Sequence, residues 1–238
     1  MHRFFLPNLQ QPLLSAEEAH HAVHVLRLKV GDTVNVFDGR GHEAQVRVAE
    51  ITKDSVRLTI LQHSNTASLP CRITLAQAIP KKSMDLIVQK ATELGVASIV
   101  PLVSERSVVK LDEDSRRMDR WHEIALEACK QCGNNWLPEI QPPRKTRDFL
   151  SSPGKFDLKL IASLQPDSKL LKAILGDAVR PTSVLILIGP EGDFTPAELG
   201  LAKSAGCLPL SLGPLVLRAD TAAIYTLSIL HHELQTRV

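Results

Sequence analysis

The stretch from Ser183 to about Thr236 constrains the chain most. It reads as a strand (Ser183-Val-Leu-Ile-Leu-Ile188), a glycine turn (Gly189-Pro-Glu-Gly-Asp-Phe194) and a helix from Thr195 to Ala205. A second strand from Cys207 to Leu212, a second turn at Gly213-Pro214, and Leu217-Arg-Ala-Asp-Thr221 running into a last helix complete it. The unbroken aliphatic run of 183–188 suits a strand buried on both faces of a parallel sheet. Open α/β sheets bind ligands at the carboxyl ends of their strands, so two neighbouring glycine turns there make one pocket. Gly189 and Gly192 allow positive φ and close backbone approach. Thr195-Pro-Ala-Glu198 is a capping box with proline at the first helical position, and Gly206 is placed to end that helix. Ile224, Leu227, Leu230 or His231, and Leu234 share one face of the last helix.

Upstream the pattern divides. In residues 1–68, the segments Thr33–Phe37, Glu43–Ile51 and Ser55–Leu61 alternate apolar and polar positions, the period of half-buried strands. Ser15-Ala-Glu-Glu18 opens one helix as a second capping box. Short strands at this spacing predict a small β-barrel. The polar stretch His63–Pro70 is the expected boundary. Over 72–238 strands alternate with helices. Strands are expected at Arg72–Ile79, Ala97–Leu102 and Asp157–Ala162, and helices at Lys82–Leu94, Asp114–Gln131 and Asp167–Leu175. This alternation predicts an α/β fold, a parallel sheet with helices on both faces.

Composition excludes several classes. With 44% hydrophobic and 23% charged residues over 238, the chain reads as an ordinary globular protein. No run approaches the roughly eighteen apolar residues of a membrane span. Met-His-Arg-Phe-Phe-Leu-Pro lacks the long apolar region of a signal peptide, so a cytoplasmic location is expected. Four cysteines do not make a disulfide scaffold, and a net charge of +2 restricts any nucleic-acid site to a local patch. The glycine turns match neither a phosphate loop nor, at Gly39-Arg-Gly41, a dinucleotide fingerprint. His20 and His24 stand four apart on a helix, but the zinc-protease pattern is absent, and a partly buried or RNA-facing pair is expected instead of a metal. Cys129-Lys-Gln-Cys132, late in a helix, reads as structural.

The paired turns resemble the SPOUT superfamily of methyltransferases. Several stretches narrow the resemblance: Ile188-Gly-Pro-Glu-Gly-Asp-Phe194, Leu212-Gly-Pro-Leu-Val-Leu-Arg-Ala-Asp-Thr-Ala222 and Glu105-Arg-Ser-Val-Val-Lys110 are three of them. Arg120-Trp121, Glu127-Ala128 with Gln131, and His21-Ala-Val-His-Val-Leu-Arg27 are the others. Over the whole chain these are similar to the RsmE family, which methylates N3 of a uridine in 16S ribosomal RNA. The resemblance implies a PUA-like RNA-binding barrel at 1–68 and a methyltransferase domain at 72–238 with a trefoil knot over 186–222. It also implies a homodimer, the small ribosomal subunit as partner, and S-adenosylmethionine as cofactor with no metal. By position, Leu164, Ile188, Gly189, Pro190, Gly192, Leu212, Gly213, Leu217, Thr221 and Ala222 would hold the cofactor. Arg3, Arg27, Lys81, Lys82, Arg106 and Lys110 would meet RNA. Asp193 stands where the family commonly has glycine, Leu215 where it has arginine, Asp220 where it has glutamate, and Asn134-Asn135 where an arginine often appears.

Methylating uridine N3 requires loss of its proton. Arg218 could stabilise the developing negative charge, and Asp220 or Glu191 could take the proton. In the structural alternative Asp220 caps the last helix and pairs with Arg218. Two other functions compete: a catalytically silent RNA-binding assembly factor of the same fold, and a SPOUT ribose 2′-O-methyltransferase.

Overall fold

The computed structural model describes residues 2–53, 55–107, 115–176 and 180–235. The chain divides into two compact units, Met1–Ser68 with Leu126–Leu137, and Leu69–Ala125 with Pro138–Val238.

In the first unit β1 (Arg3–Phe5), β2 (Thr33–Phe37), β3 (His42–Ile51) and β4 (Val56–Asn65) form one sheet in that order. The β1–β2 pair is parallel and the other two are antiparallel. The chain just past β1 returns to the far edge, where Leu13 bridges Arg57 and Leu14 N–H donates to the Val56 carbonyl. The sheet therefore curls towards closure. The alternating positions face inward: Val34 and Val36, Ala44, Val46 and Val48, and Val56 and Leu58 form a core with Phe4 and Leu14.

Helix α1 (Ala16–His20) carries only half of its expected capping box. Ser15 accepts from Glu18 N–H, but the Glu18 carboxylate turns to the Lys130 ammonium and the Phe5 N–H. The helix continues as a π-helical turn, His21–Val25, and leaves through Arg27 at φ 55°.

In the second unit β5 (Arg72–Ala78), β6 (Ser98–Val103), β7 (Glu139–Ile140), β9 (Leu158–Ala162), β10 (Ser183–Ile188) and β11 (Leu208–Leu210) form a parallel sheet. Its order is β11–β9–β10–β5–β6–β7, with the short β8 (Arg144–Lys145) also on β6. Strand β10 thus lies between β5 and β9, although it follows both in the chain. Helices cover both faces. On one, α4 (Thr146–Ser151) and α6 (Pro196–Ser204) bury Phe149, Leu150, Leu199 and Ala202 against Ala76, Ala78, Leu185 and Leu187. On the other, α2 (Met84–Glu93) packs on α7 (Ala219–Gln235), which also meets β10. Helix α3 (Ser115–Cys132) follows β6 in the chain.

Two elements are shorter than the sequence predicts. The last strand spans Leu208–Leu210, and its Pro209 has no N–H to give a ladder. The helix expected from Asp167 is α5 (Leu171–Leu175), because Lys169 is drawn into a parallel bridge with Leu210.

Candidate active site

The carboxyl ends of β9, β10 and β11 converge on one cleft with about 620 Å³ of empty space. Ala162, Ser163 and Leu164 line it from β9, Ile188 to Glu191 with Asp193 from β10, and Leu212, Gly213 and Leu215 to Leu217 from the loop after β11. Ala219 and Ala222, in the first turn of α7, close one side. A cleft with a largely apolar wall and a few polar groups suits a small-molecule site.

The glycine loop places its left-handed residue after the glycines. Neither Gly189 nor Gly192 has positive φ; Asp193 does, at 58°. A short polar side chain tolerates that backbone because it can bond locally, and here Asp193 Oδ1 accepts the Phe194 N–H at 2.7 Å. Asp193 N–H donates to the Pro190 carbonyl at 2.9 Å, closing the turn. Gly189 is needed for room: a Cβ there would lie 3.1 Å from Asp193 Oδ1 and 3.4 Å from Phe194. In the second turn it is Gly213 that takes the left-handed conformation, at φ 106°.

Two braces hold the loop. Glu191 Oε1 accepts the backbone N–H of Lys81 at 2.9 Å, tying β10's turn to the segment before α2. Arg106 Nη1 donates to the Gly192 carbonyl at 2.7 Å. The Arg106 loop is itself fixed, since Glu105 N–H donates to buried Glu198 and the Glu105 carboxylate pairs with Arg147. Glu198 also completes the expected capping box with Thr195, so one carboxylate starts α6 and anchors a neighbouring loop.

At the start of α7, Asp220 is the second helical residue, not the cap. Its Oδ1 accepts the Thr221 N–H at 2.7 Å. The Arg218 side chain is exposed and has no ion-pair or hydrogen-bond partner among the described residues, so the Arg218–Asp220 pair of the structural alternative is not formed.

The cleft brings together Leu164, Ile188, Gly189, Pro190, Glu191, Leu212, Gly213, Leu217 and Ala222. Gly192, Arg218, Asp220 and Thr221 stand beside the lining, not in it. Sequence reasoning missed Ala162, Ser163 and Ala219, small residues with no chemical signature. The basic residues fare unevenly. Arg3 pairs with Glu43 and Asn135 and lies over the Phe37 ring. Arg106 is engaged by the Gly192 carbonyl, whereas Arg27, Lys81 and Lys82 are exposed. Lys110 lies outside the described residues. No group of three metal-ligating side chains occurs among the described residues.

Two family models match the chain: an RNA methyltransferase PUA domain over residues 14–61 and an RNA methyltransferase domain over residues 67–231. Ribosomal RNA small subunit methyltransferase E of Bacillus subtilis is 31% identical, over 98% of this chain and 97% of its own length. The chain belongs to the ribosomal RNA small subunit methyltransferase E family. The fold agrees with the family. A methyltransferase E from Neisseria gonorrhoeae, solved bound to S-adenosyl methionine, superimposes with a TM-score of 0.88 at 32% identity, over 98% of both chains. A Legionella pneumophila methyltransferase solved with bound SAM gives 0.89 at 38% identity, over 97% of both.

Proposed function

We propose that this protein transfers the methyl group of S-adenosylmethionine to N3 of a uridine in 16S ribosomal RNA. The observation that supports the reading is the cleft: most of the positions that the family resemblance assigns to the cofactor, Gly192 and Thr221 excepted, line it at three strand ends. The residues suit that group. Leu164, Ile188, Leu212 and Leu217 offer apolar walls to a flat ring, and Gly189, Gly213, Ala219 and Ala222 leave room for it. Glu191 and Asp193 are among the lining residues, and their negative charge favours a cationic ligand.

When bound, S-adenosylmethionine supplies a methyl group already activated by its sulfonium. The chain's own task is then to align the acceptor and manage one proton. Arg218, with no internal partner, is free to neutralise the uracil anion left as the N3 proton departs. Asp220 keeps Oδ2 and Glu191 keeps Oε2 after their backbone bonds are counted, so either can accept that proton directly or through water. Lys81 and Lys82, exposed on the segment that Glu191 ties to the glycine loop, would contact RNA phosphates.

The unit built on 1–68 would act as the PUA-like RNA-binding domain and 72–238 as the methyltransferase domain. The placement of β10 between β5 and β9 supports a threaded segment over 186–222. Exposed Leu164, Leu215 and Val216 around the mouth support a homodimer. No helix among the described residues is long and apolar enough to cross a membrane, and with free cysteines this supports work in the cytoplasm on the small ribosomal subunit.

The test is methyl transfer to small subunits lacking the modification, followed by nucleoside mass spectrometry. Formation of 3-methyluridine is expected. A ribose-methylated nucleoside would move the activity to the 2′-oxygen. Failure of both transfer and cofactor binding would leave a silent RNA-binding factor.

A further inference from the structure

Gln77, the next-to-last residue of β5, is completely buried, and its amide oxygen has no hydrogen-bond partner among the described residues. The amide's orientation is fixed. Nε2 donates to the Ala78 carbonyl at 2.9 Å, so the nitrogen lies against the strand's own backbone and Oε1 is turned away from it. The face on which the side chain sits follows from the pleat. Ala76 and Ala78 belong to the core under α4 and α6, so Gln77 projects to the opposite face, where α7 meets β10. Leu185 and Leu187 belong to that same core, so Ile188 shares the face of Gln77, and the two are direct partners in the ladder. Ile188 lines the cleft, as do Ala219 and Ala222 of α7. Gln77 therefore lies one strand spacing, about 5 Å, from a wall residue of the cleft. Its neighbours on this face offer no donor: Leu75 is two residues back on β5, and Ile188 and Pro101 flank it on β10 and β6.

A buried acceptor without a donor lowers stability, and a group of that kind calls for a reason other than packing. The oxygen is the negative end of a dipole held in a low-dielectric interior, where its field is strong. A neutral dipole of this sense favours a cation near it and is indifferent to a neutral ligand. The two nucleosides that pass through a methyl-transfer cleft differ in this respect: S-adenosylmethionine carries a sulfonium, and S-adenosylhomocysteine, the product, a neutral thioether. We propose that Gln77 is a specificity-determining residue that favours the charged cofactor over the neutral product. The inference rests on the methyltransferase reading of the cleft and deepens it. Gln77 is not itself a lining residue, so it acts through the protein interior and not by contact. Glu191 also favours a cation, but it is exposed and open to screening by salt, whereas Gln77 is not.

The experiment uses the full chain. Wild type, Gln77→Leu and Gln77→Met are titrated calorimetrically with each nucleoside, and melting curves check that the variants fold. Methionine keeps the length of the side chain and decides the point if the leucine variant does not fold. The two ligands share every atom but one methyl group, so a general disturbance of the cleft cancels in the ratio of their affinities. That ratio should fall on the order of three- to tenfold in the variants, through weaker binding of S-adenosylmethionine alone. The fall should be the same at low and high salt. A wild-type ratio in a folded variant overturns the assignment, and so does an equal loss of both nucleosides, which would leave Gln77 a packing role only. A lowered ratio in a protein that methylates no ribosomal RNA supports the assignment and sinks the functional reading instead.

Discussion

Glu198, in the first turn of α6, accepts the backbone N–H of Glu105 through Oε1 at 3.0 Å. Its other oxygen accepts the Thr195 N–H at 2.9 Å, and the side chain is buried. Replacing it with alanine strands two backbone donors. Glu198→Ala should cost about 2–4 kcal/mol in chemical denaturation. It should also weaken cofactor binding from outside the cleft, because Arg106, next to Glu105, holds the Gly192 carbonyl. Glu198→Gln keeps one acceptor and should fall between. Calorimetric affinity unchanged in Glu198→Ala would separate the brace from the loop.

Asp193 carries the left-handed backbone of the glycine loop. Glycine takes that conformation freely, so Asp193→Gly should stay within about 0.5 kcal/mol of the parent and still bind cofactor. Asp193→Val has no local hydrogen bond to offer and should lose about 1–2 kcal/mol. Thermal unfolding of the two variants decides the point, and a valine as stable as the parent would refute the backbone argument.

Ala222 and Arg218 sit one turn apart and predict opposite losses. Ala222 lines the cleft, so Ala222→Leu should lower cofactor affinity on the order of tenfold or more by occupying the space. Arg218→Ala removes no internal contact and should leave stability and cofactor affinity unchanged. Its methyl-transfer rate should fall on the order of 10²–10³-fold. Calorimetry and single-turnover transfer read the two effects separately.

Thiol chemistry should single out one residue. Cys132 is exposed, whereas Cys71, Cys129 and Cys207 are buried. Burial first, then the neighbouring Cys132, pushes the Cys129 thiol up to about 12. Burial likewise raises Cys71 and Cys207 to about 11. Their thiolate is scarce at pH 8, because a raised thiol pKa leaves the neutral form dominant below it. A native titration with a disulfide reagent should show one fast thiol, lost in Cys132→Ser, and slow thiols that report unfolding.

Local signals were legible and distant ones were not. Thr195-Pro-Ala-Glu198 could be read as a helix start because cap and glutamate lie within one turn, and the structure completes it. The matching reading of Ser15–Glu18 was half right, because Lys130, remote in sequence, competes for the glutamate. The two glycine turns announced the cleft, yet positive φ in the first belongs to Asp193, a conformation that residue type alone does not reveal. The partners of Arg3 are not legible in the sequence, because Glu43 and Asn135 become its neighbours only in three dimensions. Asn135 is buried and bonded to Arg3 and Thr66, so it serves the interior of the first unit.

The position of β10 has a consequence for how the protein is made. A growing chain that ends before Ser183 holds β5 and β9 but not the strand that separates them. Both would offer open edges in the middle of an unfinished sheet, the kind of surface that invites wrong partners. The sheet can close only after its central strand emerges, and the helix that finishes the cleft comes later still. Synthesis of this protein should therefore lean on chaperones until nearly the last residue is added, and the cofactor should have nothing to bind before then.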